Sequence, residues 1–136
     1  MNIKEAHHHL ICHNIKPSMQ RVAIMQYLME NKTHPTIDEI FNDLLPKVPT
    51  LSKTTVYNTL KLFGEKKAVL SLTIDEKNLR YDAETSAHAH FKCKRCGSIC
   101  DVSLENTKIP VFEGDKTFFL EETHVYFLGT CEKCRK

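Results

Sequence analysis

Two C-x-x-C pairs, Cys93 with Cys96 and Cys131 with Cys134, constrain this chain more than any other feature. A C-x-x-C turn presents two thiolates to one tetrahedral ion, and two such turns complete a four-cysteine zinc site. The cation satisfies both the charge and the geometry of the thiolates, and its binding energy becomes folding energy. With all four positions filled by protein, no position remains for water or substrate, so the spacing predicts a structural zinc. The competing account is four unrelated buried thiols. No apolar run approaches the length of a membrane span, and the start "MNIKEAHHHL" lacks the basic-then-apolar order of a secretory signal. The expectation is an intracellular, cytoplasmic protein, in which cysteines serve as metal ligands or free thiols rather than disulfides.

The stretch "AHAHFKCKRCGSICD", residues 87–101, raises a second question. His88 and His90 are two apart, so on a strand they point to one face, while Cys93 has the opposite parity and belongs to a site already full. The histidines therefore imply a second metal. Candidate co-ligands are Asp82, Asp101 and His34, and imidazole with carboxylate favours Fe2+, Mn2+ or Zn2+. Solvated or core histidines are the alternative.

Upstream the pattern is helical. "HPTIDEIFNDLLPK" spaces Ile37, Ile40, Phe41, Leu44 and Leu45 for a helix that Thr36 and Glu39 open as a capping box and Pro46 closes. Before it, "PSMQRVAIMQYLMENK" carries Val22, Met25, Leu28 and Met29 on one face, and a further helix is expected near residues 3–13. After it, Ser52 can cap a helix with Val56, Leu60 and Phe63 inward and Lys53, Thr54, Tyr57, Asn58 and Lys61 outward. Val69–Ile74, a turn at Asp75–Asn78 and Leu79–Asp82 read as a hairpin. Three helices followed by a hairpin is the order of a winged helix-turn-helix. Beyond the connector "AETSA", strands are expected at His88–Lys92, at Ser98–Val102 and within "HVYFLGTC". The fold class is α+β: a winged-helix domain over residues 1–83, then a small α/β domain over 84–136 with the four-cysteine zinc site. Cys12 and Cys100 read as packing thiols, Met19, Met25 and Met29 as core fillers, and His7–His9 as an exposed helix face.

Charge permits a nucleic-acid partner without demanding one. Residues 1–83 hold 11 Lys+Arg against 9 Asp+Glu, and residues 84–136 hold 8 against 8. An enzyme fits poorly. There is no H-E-x-x-H, and the deaminase pattern fails because His90 and Lys92 stand where glutamate and proline are needed. A plain zinc-ribbon module explains the cysteines but not the histidines and carboxylates.

The segments "KPSMQRVAIMQYL", "HPTIDEIF", "LSKTTVYNTLKLF", "LRYD", "HAHFKCKRCG" and "GTCEKC" together resemble the ferric uptake regulator (Fur) family of bacterial metal-dependent repressors. The resemblance implies a DNA-binding winged helix, a hinge and a C-terminal homodimerisation domain holding the zinc. It also implies a regulatory Fe2+ or Mn2+ where the two domains meet, with His34, Asp82, His88, His90 and Asp101 as ligands. Asp101, where iron sensors carry glutamate, and Ala87 and Ala89, where they carry further ligands, favour the peroxide-responsive (PerR-like) branch. An iron-uptake repressor using the same five ligands is the alternative. The resemblance departs at Thr123, which stands where the family usually has a histidine, with His124 one place later and its role open, and at Pro110 and Gly114, where a helix is usual.

The expected mechanism follows from that ligand set. A bound metal fixes the hinge so that two recognition helices, one per subunit, enter major grooves of a palindromic duplex. Lys53, Thr54, Tyr57 and Asn58 would meet base edges, and Lys16, Arg21 and Lys61 phosphates. Peroxide, the one small-molecule reactant expected, would add oxygen to His34 or His88 and release the DNA.

Overall fold

The computed structural model describes residues 3–75, 77–85, 89–104 and 114–135. The chain divides into two compact units, Met1–Thr85 and Ser86–Lys136. No helix among the described residues is long and apolar enough to cross a membrane.

The first unit holds four helices and a hairpin: α1 (Ile3–Cys12), α2 (Met19–Glu30), α3 (Ile37–Leu44), α4 (Lys53–Glu65), β1 (Leu70–Leu72) and β2 (Arg80–Asp82). Side-chain caps set three of the starts. The hydroxyls of Ser18, Thr36 and Ser52 accept from the backbone N–H groups of Arg21, Glu39 and Thr55 at 3.2, 3.2 and 3.1 Å. The helices meet over one core that includes Leu10, Ile24, Leu28, Ile40, Val56, Leu60 and Phe63. β1 and β2 pair antiparallel, with Ser71 opposite Tyr81, and the buried Tyr81 carries the hairpin onto the helical core.

α1 is a full helix although three consecutive histidines obscure its period. Ala6 and Leu10, one turn apart, are both fully buried. His9 departs from the exposed face expected of it. It is part-buried, its Nε2 donates to the Ala68 carbonyl at 2.8 Å, and its ring lies 4.3 Å from that of His13. Met19 is exposed rather than a core filler: it is 90% exposed, because at 100° per residue it lies on the side of α2 opposite the buried Leu28. Cys12 is exposed rather than packed, with its Sγ 3.3 Å from His8 Nε2 one turn back.

The second unit is a three-stranded sheet in the order β4-β3-β5, formed by β3 (Ala89–Cys93), β4 (Ile99–Val102) and β5 (Tyr126–Gly129), followed by the short α5 (Glu132–Arg135). β3 and β4 form a hairpin closed by the first C-x-x-C turn, where Gly97 takes φ 76° and its N–H donates to the Cys93 carbonyl at 3.0 Å. β5 runs parallel to β3, with Gly129 opposite Cys93. A β-carbon at Gly129 would stand 3.2 Å from the Phe91 ring, so a larger residue there would require that ring to shift by a few tenths of an ångström. Cys100 is exposed rather than buried, because nothing described covers its face of the edge strand β4. His88, Pro110 and the expected strand start at His88 lie outside the described residues.

Candidate metal centres and nucleic-acid interface

The thiolate site follows from the sheet. Parallel pairing of β3 with β5 ends both strands at the same edge, so the turn after Cys93 and the turn after Gly129 emerge side by side. Cys93, Cys96, Cys131 and Cys134 each bring a sulfur, and all four lie within 4.8 Å of one another. The Cys96 and Cys131 sulfurs are 3.8 Å apart. Tetrahedral ligands at about 2.3 Å from zinc stand roughly 3.8 Å apart, so the donor set fits that ion. The backbone is arranged for charge on sulfur as well. The N–H groups of Cys96 and Cys131 point at Cys93 Sγ from 3.5 and 3.4 Å and bring its thiol down to about 6. The Ser98 hydroxyl, 3.1 Å away, lowers that of Cys96. Cys134 is pushed up to about 12, first by the neighbouring Cys131 thiol and then by burial. Without a cation the cluster welcomes some negative charge and rejects the rest. A divalent ion would ionise all four thiols, releasing the Cys134 proton at neutral pH, so its affinity rises with pH.

In the first unit, the turn from α2 to α3 and the end of β2 bring His34 and Asp82 together. His34 Nε2 lies 3.4 Å from Asp82 Oδ2, with the side chains 2% and 4% exposed. Both residues are held from behind. The Asp82 Oδ1 atom accepts from the Glu84 N–H at 2.9 Å, and the carbonyls of His34 and Pro35 accept from Arg80 Nη1 and the Tyr81 N–H at 3.3 and 3.1 Å. His34 has φ 59°, a left-handed conformation uncommon for a residue with a β-carbon. In the second unit, antiparallel pairing sets His90 opposite Asp101, and His90 Nε2 lies 3.3 Å from Asp101 Oδ1. His90 is buried while the Asp101 side chain is 40% exposed. Two ligands at about 2.1 Å from one ion stand roughly 3.0–3.4 Å apart, so each pair has the spacing of a chelate. His88 cannot be placed beside either pair, since it lies outside the described residues. His124 has Nε2 3.4 Å from Glu122 Oε2 and Nδ1 3.3 Å from the Tyr126 hydroxyl.

The outward face of α4 carries Lys53, Thr54, Tyr57, Asn58 and Lys61, all exposed, with Tyr57 49% so. Lys53 is engaged: its Nζ lies 3.2 Å from Asp38 and 5.7 Å from the Phe41 ring centroid. An exposed pair of this kind is worth about 0–1 kcal/mol, so a stronger acceptor can take the lysine. Beside this face lies an open groove of about 460 Å3 lined by Lys16, Ser18, Gln20, Arg21, Thr55 and Asn58. Lys16 and Arg21 thus flank the start of α2, where backbone N–H groups favour an anion. Sequence reading passed over Gln20 and Thr55. Their signal is spacing: Gln20 adjoins Arg21, and Thr55 lies one turn before Asn58.

Comparison with known proteins fits this arrangement. The profile described as the ferric uptake regulator family matches residues 13–127. The peroxide-responsive repressor PerR of Staphylococcus epidermidis is 34% identical over 128 residues, covering 90% of this chain and 83% of its own. The peroxide operon regulator of Bacillus subtilis is 35% identical over 136 residues, 98% of this chain and 94% of its own. Among solved structures, the Campylobacter jejuni peroxide stress regulator superposes with a TM-score of 0.71 at 24% identity, covering 98% and 99% of the two chains.

Proposed function

The chain belongs to the ferric uptake regulator family, and on that premise we propose that it is a metal-dependent transcriptional repressor that binds DNA and senses peroxide. The carrying observation is the buried His34–Asp82 pair, two metal-competent donors locked at chelate spacing inside a helix-turn-helix unit. The named relatives are peroxide-responsive regulators, and members of this family regulate transcription rather than turn over a substrate. The chain takes zinc at Cys93, Cys96, Cys131 and Cys134, and a regulatory Fe2+ or Mn2+ at histidines and carboxylates.

Residues 1–83 are assigned to DNA binding and 84–136 to dimerisation and metal binding. One regulatory ion is proposed to draw on both, through His34 and Asp82 from the first and His88, His90 and Asp101 from the second. Ions of this class take four to six ligands, so neither two-donor pair suffices alone. Support for the homodimer is physical: among the described residues β5 is an edge strand of its sheet, and Phe127 and Leu128 on it are 40% and 62% exposed in the single chain. In the dimer two copies of α4 address a palindromic operator. Thr54, Tyr57, Asn58 and a released Lys53 read base edges, while Lys16, Arg21 and Lys61 hold phosphates. Action on chromosomal DNA places the protein in the cytoplasm.

The two kinds of interaction separate in the laboratory. Asn58→Ala is expected to cost about 1–3 kcal/mol on the cognate duplex and to relax base preference. Lys61→Ala is expected to weaken binding to all sequences and to reduce the slope of log K against log salt by roughly 0.9 for each phosphate it no longer neutralises. Fluorescence anisotropy across a salt series measures both. An Asn58→Ala protein with undiminished discrimination removes α4 from base reading.

A bound Fe2+ would supply the electrons that cleave peroxide, chemistry that Mn2+ does not do readily. The chain's contribution is to hold His34 and His88 there, so that one imidazole gains one peroxide oxygen, the other leaving as water, and loses its hold on the ion. Treating the Fe2+ form with peroxide is therefore expected to add the mass of one oxygen to the His34 or His88 peptide and to abolish DNA binding, while the Mn2+ form stays unmodified and keeps its DNA. Unmodified histidines with Fe2+-dependent binding intact would identify an iron-responsive repressor instead.

A further inference from the structure

We infer that Arg80 is a positioning residue for the regulatory metal, holding the His34 turn in the one backbone conformation that aims its imidazole at Asp82. The inference rests on reading His34 and Asp82 as ligands. Its starting point is the strain in that turn. At φ 59° the β-carbon of His34 crowds the backbone, at a cost of about 1–2 kcal/mol. Such a conformation persists only where the surroundings over-determine it.

Two contacts from β2 do so. The Tyr81 N–H donates to the Pro35 carbonyl at 3.1 Å, and Arg80 Nη1 donates to the His34 carbonyl at 3.3 Å. The guanidinium is itself fixed. Its Nε and Nη2 reach Asp75 Oδ2 at 3.1 and 3.0 Å, and its Nη1 lies 3.5 Å from Glu39 Oε1. Asp75 is anchored in turn by the Lys77 N–H at 2.9 Å, and Glu39 belongs to the capped first turn of α3. One planar cation thus joins the hairpin turn, the start of α3 and the strained carbonyl. Strand alternation completes the device. Arg80 and Asp82 are two apart on β2 and share a face, while Tyr81 between them turns into the core. Clamp and ligand therefore move together. Lysine cannot substitute, since an ammonium lacks the flat five-donor fork that meets three acceptors at once.

The test uses full-length, zinc-loaded protein with Mn2+ as the probe, comparing wild type with His34→Ala, Arg80→Ala, Arg80→Lys and Asp75→Asn. Arg80→Ala is expected to weaken Mn2+ binding by calorimetry roughly 10- to 100-fold, the range for residues that orient ligands. Arg80→Lys should fall between it and wild type. The electron paramagnetic resonance spectrum of bound Mn2+ should change, with zinc content unaltered and the metal-free protein still folded. Wild-type Mn2+ affinity in Arg80→Ala overturns the proposal, as does a fall in metal-free melting temperature with affinity intact. If Arg80→Ala does not fold, Asp75→Asn decides: weaker binding supports the clamp and unchanged binding refutes it. His34→Ala separates the two levels. If it binds Mn2+ as wild type does, the ligand reading itself falls and the clamp with it. If it loses binding while Arg80→Ala does not, only the clamp falls.

Discussion

Replacing Cys93 by alanine is expected to release the zinc and unfold the C-terminal unit while leaving the helical unit folded. The asymmetry comes from where the core sits. Of the buried apolar side chains among the described residues, only Ala89 and Cys93 lie in the second unit; the others, from Ala6 to Tyr81, lie in the first. Three short strands with so little buried surface cannot offset the entropy of ordering them, and small units of this kind depend on a metal or on oligomerisation. Structural zinc supplies about 10–16 kcal/mol of apparent binding energy in minimal zinc domains, far more than those side chains can. Cys93 is the sharpest position. It is fully buried, it receives two backbone N–H groups, and it ends the strand that pairs with both neighbours. Zinc content by elemental analysis and amide exchange resolved by unit provide the check. Cys12→Ser and Cys100→Ser, at exposed thiols, are expected to change stability by no more than about 0.5 kcal/mol. A Cys93→Ala protein with a protected sheet, beside a wild type that holds no zinc, would mean that the four sulfurs are independent thiols.

How much of this was legible in the sequence depends on how local each cause is. The cap at Thr36, whose hydroxyl accepts from the Glu39 N–H, the cap at Ser52 and the inward set Val56, Leu60 and Phe63 are set within one or two helical turns, and all are present. The four cysteines were legible because thiolate pairs at that spacing have few other uses. Residue type misled where position decided. Met19 lies on the side of α2 opposite the buried Leu28, and Cys100 sits on an edge strand with nothing described over it. The strain at His34 and the clamp at Arg80 were beyond any local rule. They join residues 46 apart in sequence through a carbonyl, an atom every residue has and no sequence pattern marks. His34 and Asp82 could be named as candidates from their residue types, but their 3.4 Å approach depends on the hairpin folding back onto the turn before α3.

Asp82→Ala is expected to abolish the response of the protein to Mn2+, and the form of the loss distinguishes a ligand from an ordinary buried ion pair. If the pair only stabilises the fold, removing one partner leaves an uncompensated polar group in the interior. Metal-free stability should then drop by about 3–5 kcal/mol, with no metal-dependent gain in either protein. If the pair binds the ion, wild type should gain about 2.7 kcal/mol at a roughly hundredfold excess of Mn2+ over Kd. The variant should gain almost nothing and should fail to bind operator DNA at any Mn2+ concentration. Chemical denaturation with and without Mn2+, run beside DNA-binding anisotropy, reads both quantities. Asp101→Ala extends the test to the second unit, where the carboxylate removed is 40% exposed although its partner His90 is buried. Loss of the Mn2+ response in Asp101→Ala as well as in Asp82→Ala supports one ion served by both units. Loss in Asp82→Ala alone would confine the ion to the helical unit, leaving the metal unable to couple the sheet to DNA recognition.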